Sequence, residues 1–168
     1  MTKDFVPVDI LNFAIEIERN GYEFYTETAK KFKDLKTVKL FHYLAEQELR
    51  HERCFKQMKR KSPTFTPTET LEAAYEIYKQ EFLATYMFSD SAQTQGRIKL
   101  VASVEEAVNL AVGFEKDTVV LYSSIKKYID EENKKLIDEV IDEELGHIVR
   151  LLELKKDYNV ELNRGENY

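Results

Sequence analysis

The chain has 168 residues, 43% of them hydrophobic and 33% charged, with a formal net charge of -6; this profile suits one globular domain over 1–168 rather than a disordered chain. Only 5 glycines and 3 prolines argue against collagen and turn-rich all-β folds, and the acidic balance argues against nucleic acid or an anionic membrane as partner. The single cysteine, Cys54, excludes an intramolecular disulfide and any four-cysteine zinc or iron–sulfur site built by this chain alone. Met1 to Ala14 carries Asp4 and Asp9 without an apolar stretch of signal-peptide length, and no run reaches the roughly 18 apolar residues of a membrane span, so a reducing cytoplasm is the expected location.

In chain order, the first helical period covers about 8–32. Leu11, Ala14, Glu18, Tyr22 and Tyr25 share one face, with Glu16, Arg19, Asn20 and Glu23 off it. A short link near Lys33-Asp34 leads into a second helix over about 35–59, striped by Phe41, Leu44, Glu48, His51, Phe55 and Met58. Segment 61–102 is far too long for a turn. Ser62-Pro63 and Thr66-Pro67 open it, and Glu69 to Met87 has shorter helical character. Within it Phe82, Leu83, Tyr86, Met87 and Phe88 form a candidate packing or dimer surface. A third helix over about 103–129 opens on Ser103-Val104-Glu105-Glu106, a capping box. Its stripe is Val108, Ala111, Val112, Glu115, Val119 and Tyr122. The fourth, about 131–158, aligns Ile137, Val140, Ile141, Glu144, His147, Leu151 and Leu154. The expected fold is all-α: a four-helix bundle of two antiparallel helical hairpins with a long crossover containing short helix.

Each apolar stripe holds one glutamate at its centre. An ionised carboxylate buried without a partner costs several kcal/mol or becomes protonated. The basic residues lie almost entirely on outward faces, so a bound cation is the natural counter-charge. Of 3 histidines, two follow a stripe glutamate by three residues, in Glu48-Leu49-Arg50-His51 and Glu144-Leu145-Gly146-His147. A three-residue step keeps both side chains on one helix face. The halves repeat: Glu18 precedes Tyr25 by seven residues, as Glu115 precedes Tyr122, and the two Glu-x2-His motifs lie 96 positions apart. Two such hairpins meeting about a pseudo-two-fold axis put four carboxylates and two imidazoles in one cavity. That donor set suits two iron or manganese ions.

These residues, with Ala14-Ile15-Glu16-Ile17-Glu18, Tyr22-Glu23-Phe24-Tyr25, Phe114-Glu115-Lys116-Asp117 and Leu121-Tyr122, resemble the ferritin-like di-iron carboxylate proteins, most of all the rubrerythrin branch. The resemblance covers Val8 to Tyr158 apart from the crossover. It implies Glu48 and Glu144 as bridging ligands, Glu18 and Glu115 as terminal ligands, His51 and His147 each completing one metal, and Tyr25 and Tyr122 as hydrogen-bond donors to the carboxylates. The implied cofactor is two iron ions, with manganese or a mixed pair as alternatives, and neither haem nor an iron–sulfur cluster. Two departures stand out. No rubredoxin-like cysteine domain is present, and the extra glutamate that rubrerythrins carry one turn after the third-helix ligand is Thr118 here.

The neighbours read differently. Glu143 lies four residues before His147, a metal-compatible spacing, but its repeat partner Gln47 has no charge, which argues against a ligand role. Glu46, Glu52, Asp142 and Glu153 read as solvated faces, His42 as a surface residue and Cys54 as a small packing residue. Three functions follow as expectations. The first is an oxidoreductase that reduces hydrogen peroxide or dioxygen with electrons from an external donor such as a rubredoxin-like protein. The second is an iron-handling ferroxidase, and the third a non-catalytic metal-binding or sensing module. A homodimer is the expected assembly, with the crossover long enough to exchange helices.

Overall fold

The computed structural model describes residues 8–61, 91–126, 129 and 131–165, with side chains described over 11–61, 91–126, 129 and 131–160. Five helices make up the described chain: α1 (Val8–Ala29), α2 (Leu35–Lys61), α3 (Ser91–Leu100), α4 (Val104–Ile125) and α5 (Glu131–Gly165). The expected helix at Glu69–Met87 and the cluster around Phe82 and Tyr86 lie outside the described residues. No described helix is long and apolar enough to cross a membrane.

Helix ends follow local chemistry. Asp34 caps α2, its carboxylate accepting from the backbone N–H of Thr37 at 2.8 Å and of Lys36 at 3.2 Å. The hydrogen bond from Thr37 is the main reason its carboxyl is held below the usual range. Ser103 caps α4, with Oγ accepting from Glu106 N–H at 3.1 Å. Glu106 reaches one residue further back than an ideal capping box and accepts from Ala102 N–H at 2.8 Å. Between the hairpins, α3 is tied to α1. Glu23 accepts from Ser91 Oγ at 2.9 Å and from the Gln95 amide. At the other end of α3, Lys31 Nζ donates to the carbonyls of Ile98 and Val101, where a cation satisfies orphan acceptors and opposes the helix dipole.

α1 packs along α2 and α4 along α5; α1 also meets α4, and α2 meets α5. The short α1–α2 connection leaves the chain no room except to reverse direction. The core is apolar and continuous, with Leu11, Phe24, Phe41, Leu44, Phe55, Phe114 and Leu121 at 0 to 1% exposure. On α1 the buried arc is rotated from the expected stripe. It is centred on Ile17, Gly21 and Phe24, leaving Tyr22 at its margin with 38% exposure and drawing Asn20 in to 5%. Glu52 is a second correction: it is 8% exposed rather than solvated. Arg19 and Lys56 flank it at 2.5 and 2.7 Å, which makes the burial tolerable.

Replacing Asp34 with alanine removes the α2 cap and should lower stability by about 1 kcal/mol, while Asp34→Asn retains most of it. Urea unfolding of the three proteins checks this; equal midpoints for wild type and D34A would sink the capping account.

Candidate metal centre

All four helices of the bundle deliver one glutamate to the same point. Glu18 from α1, Glu48 from α2, Glu115 from α4 and Glu144 from α5 are each 0% exposed, with His51 at 2% and His147 at 1%. Their ligand atoms form two overlapping groups. In one, Glu18, Glu48, His51 and Glu144 each bring an atom within 4.8 Å of the others; in the second, Glu48, Glu115, Glu144 and His147 do the same. Glu48 and Glu144 belong to both groups. The histidines sort accordingly, His51 with Glu18 and His147 with Glu115. The imidazole rings lie 5.8 Å apart at 25°.

Both imidazoles turn Nδ1 inward. His51 Nδ1 stands 3.1 Å from Glu144 Oε1 and 3.5 Å from Glu18 Oε2, yet none of these three atoms makes a hydrogen bond. His147 Nδ1 is 2.9 Å from Glu144 Oε2 and 3.4 Å from Glu115 Oε1. Glu48 has both carboxylate oxygens buried without a hydrogen-bond partner, and Glu115 Oε2 is in the same condition. Native interiors rarely leave so many polar atoms unmatched in one place. Apart from the hydrogen bond between His147 Nδ1 and Glu144 Oε2, these converging atoms are left for a pair of cations to satisfy. The residues present therefore fit a two-metal site of mixed oxygen and nitrogen donors.

The two tyrosines cross between hairpins. Tyr25 of α1 donates to Glu115 Oε1 on α4, and Tyr122 of α4 donates to Glu18 Oε1 on α1. Each tyrosine thus holds the glutamate of the other half; Glu18 Oε2 is left facing His51, and Glu115 Oε2 is left buried without a partner. Aromatic neighbours fix the phenols: Tyr25 meets Phe114 edge-on at 5.9 Å and Phe41 at 5.7 Å, and Tyr122 lies 4.8 Å from Phe55. Burial, followed by the charges of Glu115 and Glu48, pushes the Tyr25 hydroxyl well above its ordinary value, so it stays a donor.

Protonation states follow from crowding. Burial pushes Glu48 well above the usual carboxylate range, reinforced by the charges of Glu18, Glu144 and Glu115. Burial and the Glu144 charge raise Glu115 as well, against the pull of His147. Burial alone would raise Glu144 too, but His51 and His147 outweigh it and hold Glu144 ionised. Burial disfavours charge on His147, yet hydrogen bonds to Glu115 and Glu144 raise it to about 9. Burial likewise opposes charge on His51, and the carboxylates of Glu144 and Glu18 overcome it. Protons thus occupy, in part, the electrostatic role open to metal.

Two contributors were not read from the sequence. Gly21 has no side chain because none fits: a Cβ there would meet Phe114 Cζ at 2.5 Å and Glu48 Oε2 at 2.7 Å. A glycine in the middle of the helix, three residues after Glu18, was the available signal. Glu143 stands outside both ligand groups but accepts from His51 Nε2 at 2.8 Å. Thr118 is fully buried, and its hydroxyl donates to the Glu115 carbonyl at 2.8 Å. Cys54 is half-buried against the core and joins neither ligand group.

A helical bundle whose centre is lined by four glutamates and two histidines defines the ferritin-like di-iron carboxylate class, and the comparisons agree. The chain matches the Rubrerythrin family over residues 9–91. A crystal structure described as a ferritin-like diiron-carboxylate protein from Thermotoga maritima superposes with a TM-score of 0.67 at 25% identity, covering 94% of this chain and 99% of that one. No curated protein matches. The chain is thus similar to the rubrerythrins over 9–91 and shares the fold of a ferritin-like diiron-carboxylate protein.

Two predictions follow from this geometry. Gly21→Ala gains about 1 kcal/mol of helix propensity but forces Glu48 and Phe114 apart, at about 1–3 kcal/mol of overpacking. It should lower both the melting temperature and the metal bound per chain; a variant that is more stable and loads fully would refute the close-approach reading. Metal must also displace the protons on the raised groups. Below the raised values the site holds protons and metal competes poorly; as pH rises towards about 9, the value of His147, loading becomes easier. Zinc added to metal-free protein in weakly buffered solution should release protons and bind more tightly at pH 8 than at pH 6. An affinity that does not change with pH would refute the protonation pattern.

Proposed function

We propose that the protein is a non-haem di-iron oxidoreductase that reduces hydrogen peroxide or dioxygen with electrons from an external donor. The observation that carries this reading is the pair of ligand groups sharing Glu48 and Glu144 at complete burial. Two iron ions would be held by Glu48 and Glu144 in common, with Glu18 and His51 serving one position and Glu115 and His147 the other. Bound iron, a one-electron redox metal at each position, supplies the electrons that the side chains cannot.

The chain's own residues do the rest. Tyr25 and Tyr122 each hold one oxygen of Glu115 and Glu18 and so fix the orientation of the two carboxylates that would take part in holding metal. Apolar side chains such as Phe41, Phe55 and Phe114 exclude bulk water and strengthen every charge interaction inside. The histidines in the metal-free site carry raised proton affinities, and metal binding frees both Nδ1 atoms to act as neutral ligands. The reducing equivalents come from a donor outside these 168 residues, such as a rubredoxin-like carrier, since their one cysteine cannot hold a rubredoxin-type centre. A cytoplasmic homodimer completes the proposal.

A second reading is ferroxidation for iron handling. Thr118 supports it, since that position offers a hydroxyl already committed to a backbone carbonyl instead of a further carboxylate.

Anaerobically purified protein should contain about two iron per chain, and Glu144→Ala, which removes a shared ligand, should lose nearly all of it. Stopped-flow mixing of the reduced iron form with peroxide should give rapid oxidation, with turnover on adding a rubredoxin-type donor. Fast oxidation by dioxygen alone, without donor-dependent turnover, selects the ferroxidase; no reaction with either oxidant sinks both readings.

A further inference from the structure

The internal repeat aligns α2 with α5 at an offset of 96 residues, matching Glu48 to Glu144 and His51 to His147. The same offset matches Gln47 to Glu143 and Tyr43 to Glu139, and there the two halves stop being alike. Glu143 Oε2 accepts from the outer nitrogen of His51 at 2.8 Å, while Arg50 stands 3.5 Å from its other oxygen. Gln47 supplies nothing equivalent: its amide oxygen accepts from Arg50 at 2.5 Å. The outer nitrogen of His147 is buried with no hydrogen-bond partner among the described residues. The His147 ring lies edge-on to Tyr43 at 6.0 Å, and Arg150 covers that phenol at 5.1 Å. By contrast His51 borders a pocket of about 110 Å³ that Glu139, Glu143 and Cys54 also line.

A carboxylate can only accept, so the bond to Glu143 holds a His51 proton on Nε2, and loss of the other proton to an incoming metal exposes the Nδ1 lone pair on the side of Glu18 and Glu144. The charge behind the ring also makes that lone pair a stronger donor. His147 has neither aid. Metal on its Nδ1 would require a proton on Nε2, where no acceptor stands among the described residues.

Granting that the six-residue cluster binds two metal ions, as proposed above, we infer that Glu143 is a positioning residue that makes the two positions unequal. The position built from Glu18 and His51 fills first and holds its metal more tightly than the position built from Glu115 and His147.

Anaerobic addition of Co²⁺ to the full-length metal-free chain, followed by its d–d absorption, tests this. Wild type should fill in two steps, the first about 10- to 100-fold tighter than the second. In Glu143→Gln, which keeps the shape and removes the charge, the first step should weaken by about that factor and the second should not. The absorption of the first equivalent should change while that of the second stays the same. Glu143→Asp should recover part of the difference. Glu139→Gln, which alters a carboxylate of the same pocket, should leave both steps as in wild type. Uptake by wild type in a single step overturns the inference, as does equal weakening of both steps in E143Q, or the same effect from E139Q. If wild type binds no metal, the two-metal reading itself fails, which is a different result from two equal sites.

Discussion

The structure turns on one electrostatic constraint: four carboxylates and two imidazoles meet where there is no water to solvate them. An isolated carboxylate in such a place would take a proton or unfold its surroundings. Here the groups are close enough to regulate one another. Glu144 stays ionised because two imidazolium rings face it, and Glu48 is pushed towards neutrality by burial and by the three other carboxylates around it. The metal-free core is therefore tolerable but poorly matched, with seven buried donor or acceptor atoms of these six residues lacking a partner. A fold that accepts this mismatch has kept it for the sake of a ligand.

That constraint explains details that would otherwise look arbitrary. Gly21 forfeits helix propensity so that Glu48 can lie against α1. Tyr25 and Tyr122 spend their only donors on carboxylates, and the phenyl rings around them offer no competing acceptor. Away from the centre, the buried charge of Glu52 is matched by Arg19 and Lys56 instead. The periphery can vary freely, but the centre has little room for substitution.

Much of this was legible in the chain. A glutamate at the centre of each apolar stripe, with His51 and His147 at matched positions, carries enough regularity to define both the bundle and the cluster that the structure brings together. Other features depend on geometry between helices, which spacing along one helix does not encode. The buried arc of α1 is rotated because Gly21 admits α2 and α4 closely, so Tyr22 is exposed and Asn20 is not. Glu143 has no charged counterpart in the repeat, so symmetry pointed away from it; its role comes from α2 lying beside α5. The repeat located the ligand groups but did not say which histidine sits with which outer glutamate.

The crossed tyrosines have a further consequence. Neither hairpin contains a complete site, because each supplies the phenol that its opposite's carboxylate needs. An isolated hairpin would hold a glutamate, a Glu-x2-His motif and a tyrosine aimed at nothing. The cluster comes into being only when the halves dock in register. Metal affinity and hairpin docking are thus one thermodynamic quantity seen from two sides, and the site acts as a latch that closes only on a correctly assembled bundle.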